Sequence, residues 1–338
     1  MNTVFKINDI WNKLYIHGRT TKKEDCLALD WIASGFDVAF CGNRIMISFG
    51  AYGDDVPVYV KVILDACEHK FSISDGNERI VIENLDDKEH YLTFLRVSEV
   101  RNKNMIDGRL LVADLEVCGE NPMICEKPSA PNLRMAFFGD SITCGYGVLG
   151  SLSDKDMRTC DEDATLAYAY LTAKHFHADY RICSISGQGI VKDCCGAEGH
   201  RIPAFFDEVS RETRVPYDHS EWIPHVVVVN AGTNDRGAGQ VTSEDFLTGA
   251  KAFINRIRTV YPDAYIVWMY GVMKPDDYRI ALYGLEKEIR ETDKKFFYLS
   301  VAAIDESECG THAHPNVKGQ RRAADTLIKF LSDKKIIE

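Results

Sequence analysis

No run of about 18 apolar residues occurs in the 338-residue chain, which excludes a membrane-spanning helix. The stretch from Met1 to Asp9 lacks the charged leader and apolar segment of a secretory signal, so a cytoplasmic location is expected. Positive charge is scarce as well: 40 Lys and Arg against 51 Asp and Glu leave a formal charge of −11. Nucleic-acid partners favour clustered cations, and this balance argues against one, whereas an acidic surface suits solubility and a neutral or small substrate. Repeats and low-complexity segments are missing too. None of the eleven cysteines stands in the Cys-x-x-Cys spacing of a zinc or redox site, and Cys194 and Cys195 are adjacent. The expectation is a set of reduced thiols, mostly small buried apolar residues, with no metal.

What is present falls into two rhythms, and the length favours two cores over one. Up to about residue 126, short alternating runs such as 44–49, 57–63 and 79–83 are separated by Gly42-Asn43, Asp75-Gly76-Asn77 and Asp107-Gly108. No amphipathic helix of normal length intervenes, which reads as an all-β sandwich of jelly-roll type over 1–126. Residues 121–132 hold three prolines and read as a linker. From 127 to 338 apolar strands alternate with helical stretches. Strands are expected over 133–138, 180–185, 225–229, 264–270 and 296–301, and helices near 164–177, 243–260, 277–291 and 316–333. That repetition implies a five-stranded parallel sheet covered by helices on both faces.

Four features then meet at one sheet edge. Gly139-Asp140-Ser141 follows the first strand, Ser186-Gly187-Gln188-Gly189 the second, Asn230 to Asp235 the third, and His314 precedes the last helix. Open α/β sheets bind ligands at the carboxyl ends of their strands, so these segments should converge. A serine hydroxyl needs a neighbouring base, and His314, held extended by Pro315, can serve. The oxyanion of an acyl-transfer intermediate needs preorganised donors; the Ser141 and Gly187 backbone amides and the Asn234 side chain would supply three. Gly189 is the alternative to Gly187. No cofactor is required by this chemistry.

The four blocks resemble those of the SGNH hydrolase superfamily, in which Ser, Gly, Asn and His are contributed in this order. The longer Gly139-Asp140-Ser141-Ile142-Thr143-Cys144-Gly145-Tyr146-Gly147 run, behind a β-sandwich, is similar to carbohydrate esterase family 2. That resemblance covers nearly the whole chain and implies removal of O-acetyl groups from plant polysaccharides and their oligosaccharides, with Ser141 and His314 catalytic and Gly187 and Asn234 at the oxyanion. It implies an acetylated manno- or xylo-oligosaccharide as substrate, with no nucleic-acid or membrane partner. Another lipase-like or thioester hydrolase, or a sugar-binding protein with an inert hydrolase fold, are the alternatives. The superfamily usually carries an aspartate two or three residues before the histidine, but here those positions are His312 and Thr311. The expectation is a Ser-His dyad with a backbone carbonyl orienting the imidazole; Asp305, Glu306 and Glu308 are the alternatives. His312 is read as solvent-facing or substrate-lining. Trp268 reads as core, while Tyr146 and Tyr270 are candidates to stack on sugar rings.

Overall fold

In this computed structural model the described residues are 1–52, 57–73, 76–99, 109–210, 215–237, 241–273 and 278–337. The chain divides into two compact units, Met1–Ala130 with Val209–Arg214, and Pro131–Glu208 with Val215–Glu338.

The first unit is antiparallel β. Its strands are β1 (Asn2–Lys6), β2 (Tyr15–His17), β3 (Thr21–Lys23), β4 (Cys26–Leu29), β5 (Gly35–Gly42), β6 (Arg44–Tyr52), β7 (Val58–Leu64), β8 (Cys67–Ile73), β9 (Gly76–Ile82), β10 (Lys88–Arg96), β11 (Arg109–Cys118) and β12 (Met123–Ile124). One sheet runs β3-β4-β11-β6-β9 with β1 on β11; the other runs β12-β5-β10-β7-β8 with β2 on β5. Period-2 patterning explains why they pair face to face. On β5, Phe36, Val38 and Phe40 enter the core, as do Leu92 and Phe94 on β10 and Leu115 and Val117 on β11. Residues 121–132, expected as pure linker, begin by adding β12 to a sheet edge, because Ile124 packs into the core and the Cys125 amide donates to the Ala39 carbonyl at 2.8 Å. The runs at 75 and 107–108 lie outside the described residues. The expectation of mostly buried thiols fails: none of the eleven cysteines is in a disulfide, but only Cys144 and Cys183 are buried. Most of the others sit on outward-facing strand positions or in loops.

The second unit carries the parallel sheet: β13 (Arg134–Gly139), β14 (Asp179–Ser184), β15 (Val226–Asn230), β16 (Tyr265–Tyr270) and β17 (Phe296–Ser300), in the order β14-β13-β15-β16-β17. Every residue of β15 is buried, as a strand covered on both faces requires. Helices α1 (Ser141–Cys144), α2 (Tyr168–His175), α3 (Ile202–Phe206), α4 (Thr233–Gly237), α5 (Ser243–Val260), α6 (Tyr278–Ile289) and α7 (Val317–Asp333) connect the strands. The long ones follow their apolar period: α5 buries Phe246, Ala250, Phe253, Ile254 and Ile257, and Thr242 caps its start by accepting from the Asp245 amide. The three helices of four or five residues have no period to read, and the sequence did not betray them. Strand register does the positioning. Gly139 at the end of β13 lies opposite Ser184 on one side and Asn230 on the other, so the turns leaving β13, β14 and β15 start level with one another.

Candidate active site

Ser141 is the first residue of α1, where the chain turns straight from strand to helix. Asp140 caps that turn, its carboxylate accepting from the Ile142 amide at 3.0 Å. The serine is buried, and its Oγ lies 2.8 Å from His314 Nε2. The other ring nitrogen, Nδ1, lies 3.2 Å from the His312 carbonyl oxygen. A carbonyl only accepts, so Nδ1 carries the proton and the lone pair of Nε2 faces the serine hydroxyl, the tautomer a general base needs. The carbonyl can point inward because His312 adopts left-handed backbone angles, φ 53° and ψ 37°. Its side chain is anchored meanwhile: Nδ1 accepts from the Tyr146 hydroxyl at 3.0 Å, and Nε2 donates to the Lys155 carbonyl at 2.7 Å. The acidic alternatives are otherwise engaged. Asp305 caps the short helix 306–308, accepting from the Ser307 amide at 2.8 Å, and Glu308 takes the Arg322 guanidinium at 2.8 Å. Glu306 starts that same turn.

Gly187 has φ 82°, and a Cβ there would stand 2.8 Å from Cys194 Sγ, so the backbone position demands glycine. Among the described residues no acceptor takes the Ser141 or the Gly187 amide proton, which leaves both open as donors. Gly189, the alternative, is a required glycine as well: a side chain there would collide with the Lys192 carbonyl and the Asp235 carboxylate. Asn234 reaches the same edge, but its Nδ2 donates to the Gln188 carbonyl at 2.8 Å and to Asp140 Oδ2 at 3.2 Å. The longer of these bonds is the one an oxyanion would have to replace.

Two acids without an expected role hold this arrangement. The buried Asp235 carboxylate accepts from three consecutive amides, Ile190 (2.9 Å), Val191 (2.6 Å) and Lys192 (3.1 Å), and so fixes the loop that carries Gly187. Burial raises its carboxyl above the ordinary range even against those donors. Asp140 is wholly buried and is pushed up to about 7, chiefly by desolvation, with the Asp235 charge adding to it and the Ile142 amide opposing. The acids inside Gly-Asp-Ser and at the end of Gly-Thr-Asn-Asp were the available signal.

Of the aromatics, Trp268 is core as expected. Tyr270 is only 1% exposed, so it cannot be a sugar platform; the apolar strand that carries it buries its ring. Tyr146 packs its ring against His314, centroids 4.5 Å apart, and so belongs to the positioning of the base. His219 is bound to Tyr261 and Asp207, and His225 accepts from the Arg134 amide, as locally satisfied groups.

Residues 137–322, more than half of the chain, match the GDSL-like lipase/acylhydrolase family. Among curated relatives, the cellulase/esterase CelE of Acetivibrio thermocellus is 26% identical over 312 residues, 90% of this chain but 37% of that protein. The acetylxylan esterase / glucomannan deacetylase of Cellvibrio japonicus is 22% identical over 90% of this chain and 85% of its own length. The chain thus spans little more than a third of the first of these relatives. Among solved structures, an acetyl xylan esterase from the rumen bacterium Butyrivibrio proteoclasticus superposes with a TM-score of 0.89 over the full length of both chains at 22% identity. A family two carbohydrate esterase from Clostridium thermocellum, in complex with cellohexaose, gives 0.87 over 95% of this chain and 99% of that one at 23% identity. At these identities the superpositions establish the fold.

Proposed function

The chain belongs to the GDSL-like lipase/acylhydrolase family, and from that membership we propose that it is a serine esterase that removes O-acetyl groups from plant-derived oligosaccharides, manno- or xylo-oligosaccharides. The observation that carries the reading is the unbroken relay from Ser141 Oγ to His314 Nε2 and from Nδ1 to the His312 carbonyl. Ser141 Oγ attacks the acetyl carbonyl while His314 takes its proton. The resulting oxyanion is met by the Ser141 and Gly187 amides, with Asn234 exchanging its long bond to Asp140 for a bond to the oxyanion. His314 then returns the proton to the departing sugar oxygen, leaving acetyl on Ser141. Water, deprotonated by the same imidazole, releases acetate. The acetyl preference and the sugar class are supported by the names of the relatives, two of which, both from Cellvibrio japonicus, are each named acetylxylan esterase / glucomannan deacetylase. A cytosolic location belongs to the same proposal and is supported by the number of cysteines outside disulfides; cell fractionation tests it.

The test is acetate release from acetylated manno- and xylo-oligosaccharides, with acetyl and octanoyl nitrophenyl esters in parallel. Acetyl turnover should dominate, and Ser141→Ala should lower it by at least about a thousandfold without loss of fold. Preference for the octanoyl ester would replace this reading with a lipase-like one. Sugar binding without any turnover would replace it with a binding protein.

A further inference from the structure

The outer face of the first unit brings two thiols and a carboxylate together by strand alternation. On β5 the core takes Phe36, Val38 and Phe40, so Cys41 faces outward. On β10 the core takes Leu92 and Phe94, so Glu89 faces outward, and it is paired directly with Cys41. On the other side of β5, Ile124 of β12 is in the core opposite Phe40, which turns the following Cys125 outward as well. Three neighbouring strands thus aim Cys125, Cys41 and Glu89 at one point, and the three ligand atoms lie within 4.8 Å of one another.

The spacing distinguishes what the point can hold. The two Sγ atoms are 3.5 Å apart. A disulfide brings its sulfurs to about 2.05 Å. Two thiolates each about 2.3 Å from a tetrahedral zinc ion lie roughly 3.8 Å apart. The observed separation is close to the second value. A divalent cation supplies the positive charge these three groups lack.

We propose that Cys41, Cys125 and Glu89 form a site for one zinc-like divalent cation, two thiolates and one carboxylate in its coordination shell and a fourth position open to water. Binding forms two metal–sulfur bonds and one metal–oxygen bond, releases the two thiol protons to solvent and moves no electrons. Glu89 is exposed, which gives the ion its entry. The bound ion fastens the two-residue β12 to β5 and β10 and stabilises the first unit by mass action.

The experiment uses the full chain, reduced and stripped by a chelator, titrated with Cd2+ while the thiolate-to-cadmium charge-transfer absorption is followed. The expected result is saturation at about one equivalent per chain, loss of the band in Cys41→Ser and in Cys125→Ser, and affinity weakened by at least about tenfold in Glu89→Gln. The other close thiol pair, Cys194 and Cys195 with Sγ atoms 3.8 Å apart, is the internal competitor, so the double variant Cys194→Ser/Cys195→Ser should keep the band. Because a serine variant can fail to fold, the wild-type chain is also alkylated with and without Zn2+ and mapped by mass spectrometry; zinc should protect Cys41 and Cys125 selectively. The site is overturned by a band that follows Cys194 and Cys195, by unchanged affinity in Glu89→Gln, by alkylation that zinc does not alter, or by a Cys41–Cys125 disulfide in protein prepared without reductant.

Discussion

At the scale of single residues, the relay makes the clearest demand. In a complete triad the carboxylate is worth about ten-thousandfold in kcat. Here the Nδ1 partner is the His312 carbonyl, while Asp305 and Glu308 are bound to Ser307 and Arg322. Alanine at Asp305, Glu306, Glu308, Thr311 or His312 should therefore lower kcat by less than about tenfold, and His314→Ala should nearly abolish it. A thousandfold loss at any of the three acids, in folded protein, would show a displaced triad carboxylate. Asp140 gives a second test. Its carboxyl is pushed up to about 7 in the fold from an ordinary value of 3.8, so the folded state favours the protonated form. The stability it lends is complete below about pH 4 and drains away as pH rises through about 7. The melting-temperature advantage of wild type over Asp140→Asn should accordingly shrink across that window. An advantage that stays flat or grows would contradict it. That Ser141 and His314 would meet was legible from residue types in a pattern, and the carbonyl now seen at Nδ1 was the expectation that the family resemblance implied where the usual aspartate is missing. What could not be read was Asn234's present commitment to Gln188 and Asp140, because a side-chain amide's choice of acceptor depends on loops distant in sequence.

At the scale of elements, the loop 187–192 behaves as one piece because one carboxylate holds three of its amides. Asp235→Ala leaves three N–H groups without their acceptor, that of Ile190 buried and those of Val191 and Lys192 partly buried, and should destabilise the protein by about 1–3 kcal/mol or more in denaturant melts. Asp235→Asn keeps the volume and can satisfy only part of the set. It should fold, yet lose about a hundredfold in kcat if the Gly187 amide shifts by an ångström. Wild-type kcat in folded Asp235→Asn would separate this loop from the chemistry. The five parallel strands and four long helices were visible because each carries a period or a continuous apolar run several residues long. Helices α1, α3 and α4 were not, since a single turn is set by caps and tertiary contacts. Gln320 shows how: from α7 it donates to the Ile142 carbonyl at 2.8 Å and accepts from the Tyr168 amide at 2.9 Å, tying α1 and α2 to the last helix.

At the scale of the whole molecule, the change of rhythm in the sequence separates an antiparallel sandwich from a parallel α/β layer structure, and each has a complete core. The finer error lay in the proline-rich stretch, where β12 is too short to announce itself and forms only because Ile124 finds the core. In the proposed mechanism, ester cleavage by the Ser141 relay draws on backbone amides, an asparagine and an imidazole, where a metallo-esterase would use a Lewis acid. Extended chelation should therefore leave acetyl-ester kcat unchanged, even where it removes an ion from the first unit. Loss of activity restored by zinc would instead make the His312-x-His314 pair metal ligands.

The left-handed turn at His312 has a genetic consequence. The group that steadies the imidazole belongs to the main chain, and every codon specifies a carbonyl. A saturation screen for inactive clones should recover Ser141 and His314 abundantly, yet find no third position whose side chain behaves as a relay member. At 312 it should instead sort substitutions by their tolerance of positive φ, glycine and asparagine surviving where valine and isoleucine do not. The third partner is thus hidden from side-chain mutagenesis and is reachable only by editing the backbone itself, for instance by an ester in place of the 312–313 amide.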